Sequence, residues 1–269
     1  MKAISFTIIF FTCIIINIAC ENLFDYSPYV IHFSKENRDV NSKNIVKLGD
    51  GQNDDTITIA FTGDTHNYFD EMEKFVASVN KNSSIDFVIH VGDIADFGLP
   101  KQYLWGNSIL LKLRMPYFVT IGNHDLVGNG SNAYKEMFGA FDFSFIYGNV
   151  KFVFINTNSL EFKNNGNVPD IQWLNEQLKP SNNFSNAVVV FHVPPEDDGF
   201  DARLVEPFYQ TISLYDNVLF TVHGHLHNYE IYNPFDGTVT YINVYGVEYN
   251  KYNVINIFNS NYYVETVEF

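Results

Sequence analysis

Ligand-type side chains recur directly after short β-rich runs along the sequence. Each run ends in a polar cluster that contains aspartate, histidine or an asparagine amide. The side chains concerned are Asp64, His66, Asp93, Asp96, Asn123, His124, His192, His225 and His227. Carboxylate, amide and imidazole together suit a borderline divalent metal such as Mn, Fe, Ni or Zn better than calcium, which takes oxygen ligands alone. The sequence therefore predicts a metal centre.

Parallel strand–helix units are expected to position the first of these groups. Strands are predicted at residues 57–61, 86–91 and 117–121, and helices at residues 70–80 and 101–114. Strand, polar tip and helix in succession indicate βαβ units, whose strands bring their carboxyl ends to one edge of a sheet. Groups that are distant in sequence are therefore expected to meet at that edge.

The second half of the chain changes character. A hairpin is expected around Gly148-Asn149, between strands at residues 143–147 and 151–156. Helices at residues 171–178 and 204–214 alternate with strands at residues 187–191 and 218–222. Four further runs, at residues 229–232, 239–244, 253–258 and 262–267, are predicted to form an antiparallel meander. The pattern predicts an α/β protein with two sheets and helices outside them.

In order, spacing and setting, the polar clusters resemble the motifs of the calcineurin-like metallophosphoesterase superfamily. The series is Asp-x-His, Gly-Asp-x-x-Asp, Gly-Asn-His-Asp, a single His and Gly-His-x-His, and it covers residues 56–230. The resemblance implies the metallo-dependent phosphatase fold, a four-layer α/β/β/α sandwich of two mixed β-sheets flanked by helices. The domain of this type is expected to span residues 56–269.

The superfamily's residue roles carry over position by position, and two divalent ions (Mn, Fe, Zn or Ni) are implied. Asp64, His66 and His227 are implied to hold one ion, Asn123, His192 and His225 the other, and Asp93 to bridge them. Such a pair clamps a phosphoryl group and holds a bridging hydroxide in line with the leaving oxygen. His124 is implied to be the catalytic histidine, a cation that assists the leaving group, with Asp96 orienting its ring.

Two differences from known branches of the superfamily narrow the kind of phosphoesterase that is expected. Purple acid phosphatases carry a tyrosine where Asp96 stands and a glycine where His66 stands, so a coloured ferric phenolate site is not expected. Secreted 5′-nucleotidases carry a further substrate domain, for which 269 residues leave no room. The segment at residues 192–195 is similar to that of cyclic-nucleotide and other small phosphodiesterases. A phosphomonoesterase or phosphodiesterase acting on a small organic phosphate is expected.

A second function class stays open. The chain could be a metal-containing surface binding protein of the same fold that no longer turns over substrate. The presence of both Asp96 and His124 argues against this alternative, because decayed relatives commonly lose such non-ligand catalytic groups first. Oligomeric state and metal identity have no readable signal in the sequence.

Composition and charge exclude other classes. The chain has 269 residues and 46% hydrophobic residues, which is too apolar for a disordered protein. It carries 16 Lys and Arg against 31 Asp and Glu, and the net charge of −15 disfavours duplex nucleic acid as a partner. An anionic substrate is still compatible with this charge, because metal ions reverse the sign locally.

The amino terminus is predicted to be an export signal. Lys2 precedes an apolar run at residues 3–18, and a signal peptide is expected at residues 1–19. Ala19-Cys20 resembles a bacterial lipobox, although Asn17 replaces its usual aliphatic residue. A lipidated Cys20 would attach the protein to a membrane of the bacterial envelope, facing the periplasm or the cell surface. The alternative is an ordinary signal peptide and a secreted protein.

The remaining polar residues are expected to have structural roles. Residues 20–55 are predicted to be an extended tether that packs on the domain without forming its core. His90 is predicted to be a core or supporting histidine, whereas His223 matches no ligand position and could have either role. Asp197, Asp198 and Asp201 could line the site or recruit a cation, but a solvated acidic loop is the favoured interpretation. Two loops are expected to contact the substrate, at residues 126–139 and 194–203.

Overall fold

The computed structural model describes residues 27–51, 56–234 and 237–269. The predicted signal peptide and Cys20 lie outside these ranges, so the export and lipidation predictions remain predictions. Within the ranges, no helix combines the length and the apolar character that a membrane-spanning segment requires.

The first sheet contains strands from both ends of the described chain. Its members are β1 (Ile57–Thr62), β2 (Phe87–His90), β3 (Tyr117–Val119), β10 (Lys251–Phe258) and β11 (Asn261–Glu268). They lie in the order β11-β10-β1-β2-β3. The strands β1, β2 and β3 are parallel, whereas β10 runs antiparallel to both β1 and β11. The sheet is therefore mixed, with its parallel half formed by the three strands that precede the first motifs.

The second sheet is formed by the middle of the chain. Its strands are β4 (Phe143–Tyr147), β5 (Val150–Phe154), β6 (Asn186–Val190), β7 (Val218–His223), β8 (Glu230–Tyr232) and β9 (Thr240–Asn243). They lie in the order β4-β5-β6-β7-β9-β8. The inner neighbours from β5 to β9 are parallel, and antiparallel hairpins close both edges.

Helices cover the outer faces of both sheets. They are α1 (Val40–Leu48), α2 (Phe69–Val79), α3 (Pro100–Leu110), α4 (Gly130–Met137), α5 (Ile171–Leu178) and α6 (Val205–Ser213). Short 3₁₀ helices occur at Lys35–Asn37, His124–Leu126, Leu160–Phe162 and Val247–Tyr249. The helix α2 is amphipathic, because Met72, Phe75, Val76 and Val79 repeat at helical spacing and are buried against the sheet.

Three apolar clusters separate the layers. One lies between the sheets, where the ring of Phe87 contacts Phe118 and Phe152 edge-on at centroid distances of 5.7 and 5.2 Å. The second lies under α2, α3 and α4, and the third under α5 and α6. Burial of each such phenylalanine contributes about 1.5–3 kcal/mol relative to exposure. The layer order is α/β/β/α, and the predicted fold is confirmed.

The prediction of a carboxy-terminal antiparallel meander is wrong. The strands β8 and β9 join the second sheet, where β9 lies parallel to β7. The hairpin of β10 and β11 instead crosses to the first sheet and pairs with β1. The buried Ile255 and Ile257 of β10 face the cluster between the sheets. Apolar alternation predicts a strand with one buried face, but it does not specify which sheet supplies the partner.

Part of the predicted extended tether is helical. The side chain of Asn41, on α1, bonds both backbone groups of Val119 at 3.0 Å, and the Asn44 amide donates to the Tyr117 oxygen at 2.8 Å. The helix thus satisfies exposed backbone groups of the edge strand β3. Phe33 and Val40 are buried in the core, in contrast to the sequence expectation.

The predicted substrate loop at residues 126–139 also contains a helix. The element α4 occupies Gly130–Met137 and buries Ala133, Tyr134 and Met137. Its glycine and asparagine residues made the segment resemble a loop in sequence, whereas burial of one apolar face stabilises the helix.

Candidate metal centre

The structure brings the predicted ligand side chains together at the carboxyl ends of five strands. The loops after β1, β2 and β3 carry Asp64, His66, Asp93, Asp96, Asn123 and His124, and the loops after β6 and β7 carry His192, His225 and His227. Ligand atoms of Asp64, His66 and His227 lie within 4.8 Å of one another. Ligand atoms of Asp64, Asp93 and His192 form a second group of the same size.

The first group corresponds to one predicted metal site. The Nε2 atom of His227 lies 3.7 Å from Asp64 Oδ1, and Nε2 of His66 lies 3.7 Å from Asp93 Oδ2. The rings of His66 and His227 are stacked, with centroids 5.3 Å apart. Two imidazoles and a carboxylate therefore enclose a space of the size that a single cation occupies.

The second predicted site is built around the amide of Asn123. Its Oδ1 atom lies 3.1 Å from both His192 Nε2 and His225 Nδ1. His192 Nε2 is also 3.1 Å from Asp93 Oδ2, the same oxygen that faces His66. Asp93 thus contacts both groups, which is the position that a bridging ligand requires.

The environment of Asp64 favours a bound cation. This side chain is fully buried, and its Oδ1 atom accepts the His225 backbone N–H at 3.1 Å. Its Oδ2 atom has no hydrogen-bond partner among the described residues. Burial raises the pKa of Asp64 to about 6. Because an unpaired buried carboxylate oxygen is costly, the donor set fits a metal ion at this position.

The Asp93 carboxylate is also stabilised by a positive charge, which in the metal-free site is carried by His192. Burial opposes ionisation of both groups, but the imidazole of His192 holds the pKa of Asp93 below its usual range. In return the carboxylate of Asp93 raises the pKa of His192. A proton on His192 thus balances Asp93 in the absence of a metal. Metal binding would release that proton, because a coordinating imidazole must be neutral.

Left-handed backbone conformations are concentrated at this centre. Asp64, His66, Asp93, His225 and His227 have φ values of 51°, 47°, 57°, 73° and 62°. Residues other than glycine rarely adopt such values, at a cost of about 1–2 kcal/mol each. The surrounding loops hold the ligands in strained positions, as is common where side chains must converge on a ligand.

Gly122 must be a glycine because Asp93 lies very close to its Cα atom. A Cβ atom at Gly122 would lie 2.1 Å from Asp93 Oδ1 and 2.3 Å from the Asp93 backbone nitrogen. Any side chain there would displace the predicted bridging carboxylate. The glycine of the Gly-Asn-His-Asp motif therefore makes room for Asp93.

Asp125 links the loops after β2 and β3, a role that sequence reasoning missed. Its buried carboxylate accepts backbone N–H groups of Asp93 at 2.9 Å, Ala95 at 2.8 Å and Gly122 at 3.0 Å. Burial and the neighbouring Asp93 raise its pKa to about 7. The available signal was its position beside His124 in a turn, where aspartate commonly accepts local backbone N–H groups.

His124 lies beside these two groups, and its ligand atoms form a third group with those of His66 and Asp96, again within 4.8 Å of one another. Its Nδ1 atom is 3.0 Å from the Asp96 backbone oxygen and 3.2 Å from Asp96 Oδ1. Its ring centroid is 4.6 Å from that of His66, and its side chain is 43% exposed. The other carboxylate oxygen of Asp96 accepts from Asn67 at 2.6 Å, a contact that the sequence did not predict. The predicted catalytic pair is therefore in contact and open to substrate.

Each metal-facing histidine of the second sheet has its other ring nitrogen held. His192 Nδ1 lies 2.8 Å from the Val91 carbonyl oxygen, and His227 Nδ1 lies 2.5 Å from Glu248 Oε1. His225 Nε2 lies 3.3 Å from Asp197 Oδ1. Such partners fix the tautomer and orientation of a ligating histidine.

The acidic segment after Pro195 differs from the solvated loop expected from the sequence. Asp197 faces His225, and Asp201 is buried, where it binds Arg203 and the Gly166 backbone N–H. Only Asp198 is exposed among the three aspartates. The aspartates clustered after Pro194-Pro195 indicated a loop but not its contacts.

The other two candidate histidines have structural contacts. His90 Nε2 lies 2.8 Å from Thr65 Oγ1, and His223 lies between the Gly224 oxygen at 3.0 Å and Tyr232 Oη at 2.9 Å. Burial lowers the pKa of each to about 3, so both are neutral. The structure places neither among the metal-facing atoms, which is what the sequence predicted for His90 and left open for His223.

Comparison with known proteins places this geometry in a family. The family model described as calcineurin-like phosphoesterase matches residues 57–229, which include all nine predicted site residues. The chain belongs to the calcineurin-like phosphoesterase family. That family's members are hydrolases of phosphoric esters and typically depend on two metal ions.

Individual relatives of the family are distant. An uncharacterized protein of Bacillus subtilis, YvnB, is 28% identical over 203 residues, which are 65% of this chain and 16% of YvnB. A probable cyclic nucleotide phosphodiesterase of Coxiella burnetii is 26% identical over 207 residues, 65% of this chain and 77% of its own length. The crystal structure of a dimetal phosphatase from Danio rerio shares the fold, with a TM-score of 0.63 at 15% identity over 79% of this chain and 97% of that one.

Proposed function

We propose that this phosphoesterase family member is a binuclear metal-dependent hydrolase of a small organic phosphate mono- or diester. The observation that carries the proposal is the position of Asp93, whose Oδ2 atom faces His66 of one predicted ligand set and His192 of the other, with His124 beside them. When bound, two divalent ions would neutralise the phosphoryl oxygens and lower the pKa of water enough for attack at neutral pH.

The proposed ligand sets are those implied by the sequence motifs. Asp64, His66 and His227 would hold one ion, Asn123, His192 and His225 would hold the other, and Asp93 would serve both; the short distances within each set support this division. The buried carboxylates supply negative charge where the ions bind. The strained loops and the anchored histidine rings keep the ligands in place before binding, so little reorganisation is needed.

His124 supplies the proton that the leaving group requires. Its Nδ1 atom is anchored on Asp96, so Nε2 is left to donate to the leaving oxygen. The exposure of this side chain gives a substrate direct access to it. General acid assistance of this kind contributes about 10²–10⁴-fold in rate.

The presence of this pair favours turnover over a silent binding role. A protein that only bound a partner through the fold would need neither the Asp96 contact nor an exposed imidazole next to the metals. Support for a diester substrate comes from the likeness to the Coxiella burnetii protein, which is named a probable cyclic nucleotide phosphodiesterase. We include both ester classes in the proposal for this reason.

The cellular setting is proposed from the sequence alone. Lys2, the apolar run that follows it and Ala19-Cys20 support export and lipidation at Cys20. The substrate would then be met outside the cytoplasm, at a membrane of a bacterial envelope. Metabolic labelling with a palmitate analogue tests this, since Cys20→Ser should abolish incorporation. Unchanged labelling in that variant would overturn the lipidation proposal.

The enzymatic proposal is tested with paired substrates. The metal-free protein is reconstituted separately with Mn, Fe, Ni and Zn, and hydrolysis of p-nitrophenyl phosphate is compared with that of bis-p-nitrophenyl phosphate. Activity that requires a metal and is lost with a chelator supports the proposal, and the preferred ester decides between the two classes. A folded protein that binds two ions but hydrolyses neither ester nor a cyclic nucleotide would favour the silent alternative.

A further inference from the structure

His227 is held on both sides of its ring. Its Nδ1 atom lies 2.5 Å from Glu248 Oε1, and its Nε2 atom lies 3.7 Å from Asp64 Oδ1. Glu248 is 21 residues further along the chain and lies outside the family match at residues 57–229. Its side chain is only 16% exposed, so the contact is largely shielded from water.

We propose that Glu248 is a positioning residue for the metal centre. Its carboxylate accepts the Nδ1–H of His227, fixes the tautomer that leaves the Nε2 lone pair facing Asp64, and increases the basicity of that nitrogen. Carboxylates behind metal-binding histidines commonly act in this way. The inference rests on the proposed function, because Glu248 is proposed to position His227, a ligand of the proposed metal centre.

The backbone around Glu248 ties it to the loops that carry the ligands. The Gly246 N–H donates to the His227 oxygen at 2.6 Å, and the Val247 N–H donates to the Gly63 oxygen at 3.1 Å. Val247 is fully buried in the core under α2, α3 and α4. One short segment therefore contacts the loops after β1 and β7 and presents Glu248 to His227 from a fixed base.

Gly246 makes room for this carboxylate. A Cβ atom there would lie 2.4 Å from Glu248 Oε2. The backbone of Gly246, with φ −62° and ψ 145°, is open to any residue, so its conformation does not require glycine. The lack of a side chain at this position serves the carboxylate. Oε2 itself is buried and has no hydrogen-bond partner among the described residues, so the contact of this carboxylate with His227 is made through Oε1.

Metal titration of the metal-free protein tests the proposal. Wild type, Glu248→Ala and Glu248→Gln are titrated with Mn and with Zn by calorimetry, and bound ions are counted by mass spectrometry. We expect wild type to bind two ions and Glu248→Ala to lose about 10–100-fold in affinity at one site only. Glu248→Gln should lie between them, because the amide oxygen still accepts the Nδ1–H but carries no charge. Glu268→Ala, which removes an exposed glutamate of β11, is the matched control and should resemble wild type.

A double-mutant cycle separates positioning from general destabilisation. Gly246→Ala should weaken the same site in wild type but have no further effect in Glu248→Ala, because its steric target is then absent. Equal affinities in wild type and Glu248→Ala would overturn the inference. Weakening of both sites, together with a lower melting temperature of the metal-free variant, would also overturn it by showing a structural role. A wild type that binds no ions would overturn the proposed function as well, whereas intact wild-type binding with an unaffected Glu248→Ala overturns this inference alone.

Discussion

The Nδ1 atom of His124 faces two oxygens of Asp96 at once, the backbone carbonyl at 3.0 Å and the carboxylate at 3.2 Å. A carbonyl oxygen can only accept, so this nitrogen carries the proton. The ring is thus fixed by one neutral and one charged acceptor on the same residue. The two acceptors should differ in what they contribute, and substitutions can separate them.

Replacing His124 should remove catalysis and leave the metals in place. We expect His124→Ala to lower kcat for alkyl esters by about 10²–10⁴-fold, and for p-nitrophenyl esters by much less. The difference arises because p-nitrophenolate can leave without being protonated, whereas an alkoxide must receive a proton as it leaves. Turnover of both esters and the bound metal per protein are measured. The exposed His32→Ala serves as the control, and equal losses for the two esters would contradict the general-acid role.

Replacing Asp96 should have a smaller effect than replacing His124. In Asp96→Asn the backbone oxygen still holds the His124 ring, but the charged acceptor is lost. The same carboxylate oxygen lies 3.4 Å from His66 Nδ1, so the bound metal per protein is measured alongside kcat. We expect kcat to fall by about 10-fold to 100-fold. In a His124→Ala background the same substitution should change kcat little, since the two residues act as one unit. Additive losses in the double variant would show that Asp96 acts independently of His124.

The strain at His66 should be measurable in the metal-free protein. At its φ of 47°, glycine is favoured over alanine, so His66→Gly should be more stable than His66→Ala by about 1 kcal/mol. Urea unfolding in the presence of a chelator measures both free energies of unfolding. The same pair of substitutions at Val46, an exposed position of α1, should give the opposite order, because glycine weakens a helix interior. The same order at both positions would contradict the strain argument.

Asp142 should make stability depend on pH away from the metal centre. Its carboxylate accepts the Asn156 backbone N–H at 2.7 Å, and burial raises its pKa to about 6 from the ordinary 3.8. The folded state therefore binds this proton more tightly than the unfolded state, so stability falls as pH rises from about 4 to about 6. The contribution is at most about 3 kcal/mol.

Asp142→Asn keeps the acceptor but removes the titration. We expect the variant to lack this part of the decline. The free energy of unfolding of the variant should therefore rise relative to that of wild type between about pH 4 and about pH 6. Chemical unfolding of both proteins at pH 4, 5, 6 and 7 with a chelator present gives the difference. Parallel curves would show that Asp142 titrates alike in both states.

The sequence predicted the parts of the site that are local in the chain. The motifs at residues 64–66 and 225–227 directly follow buried strands, and strand periodicity together with parallel topology is enough to place them at one edge. The family resemblance supplied their roles, which the metal titrations above will test. The family match over residues 57–229 and the α/β/β/α layers confirm the family and the fold.

The parts that were missed depend on contacts between distant segments. Glu248 contacts a metal-facing histidine, but nothing near it in sequence indicates that partner, and the sequence did not show which histidine Asp197 would face. The pairing of β10 with β1 joins residues 192 to 200 positions apart, such as Ile57 and Ile257. Alternation in β10 specifies its buried face only, and the choice of sheet depends on how the whole core is filled.

The two predicted ligand sets are each divided between the sheets. Asp64 and His66 follow β1 of the first sheet, whereas His227 follows β7 of the second. The other set combines Asn123 from the first sheet with histidines from the second. In the proposed centre, neither sheet alone would hold either ion with full affinity. During synthesis, tight loading of the first set would therefore have to wait until His227 has been made and the two sheets have docked.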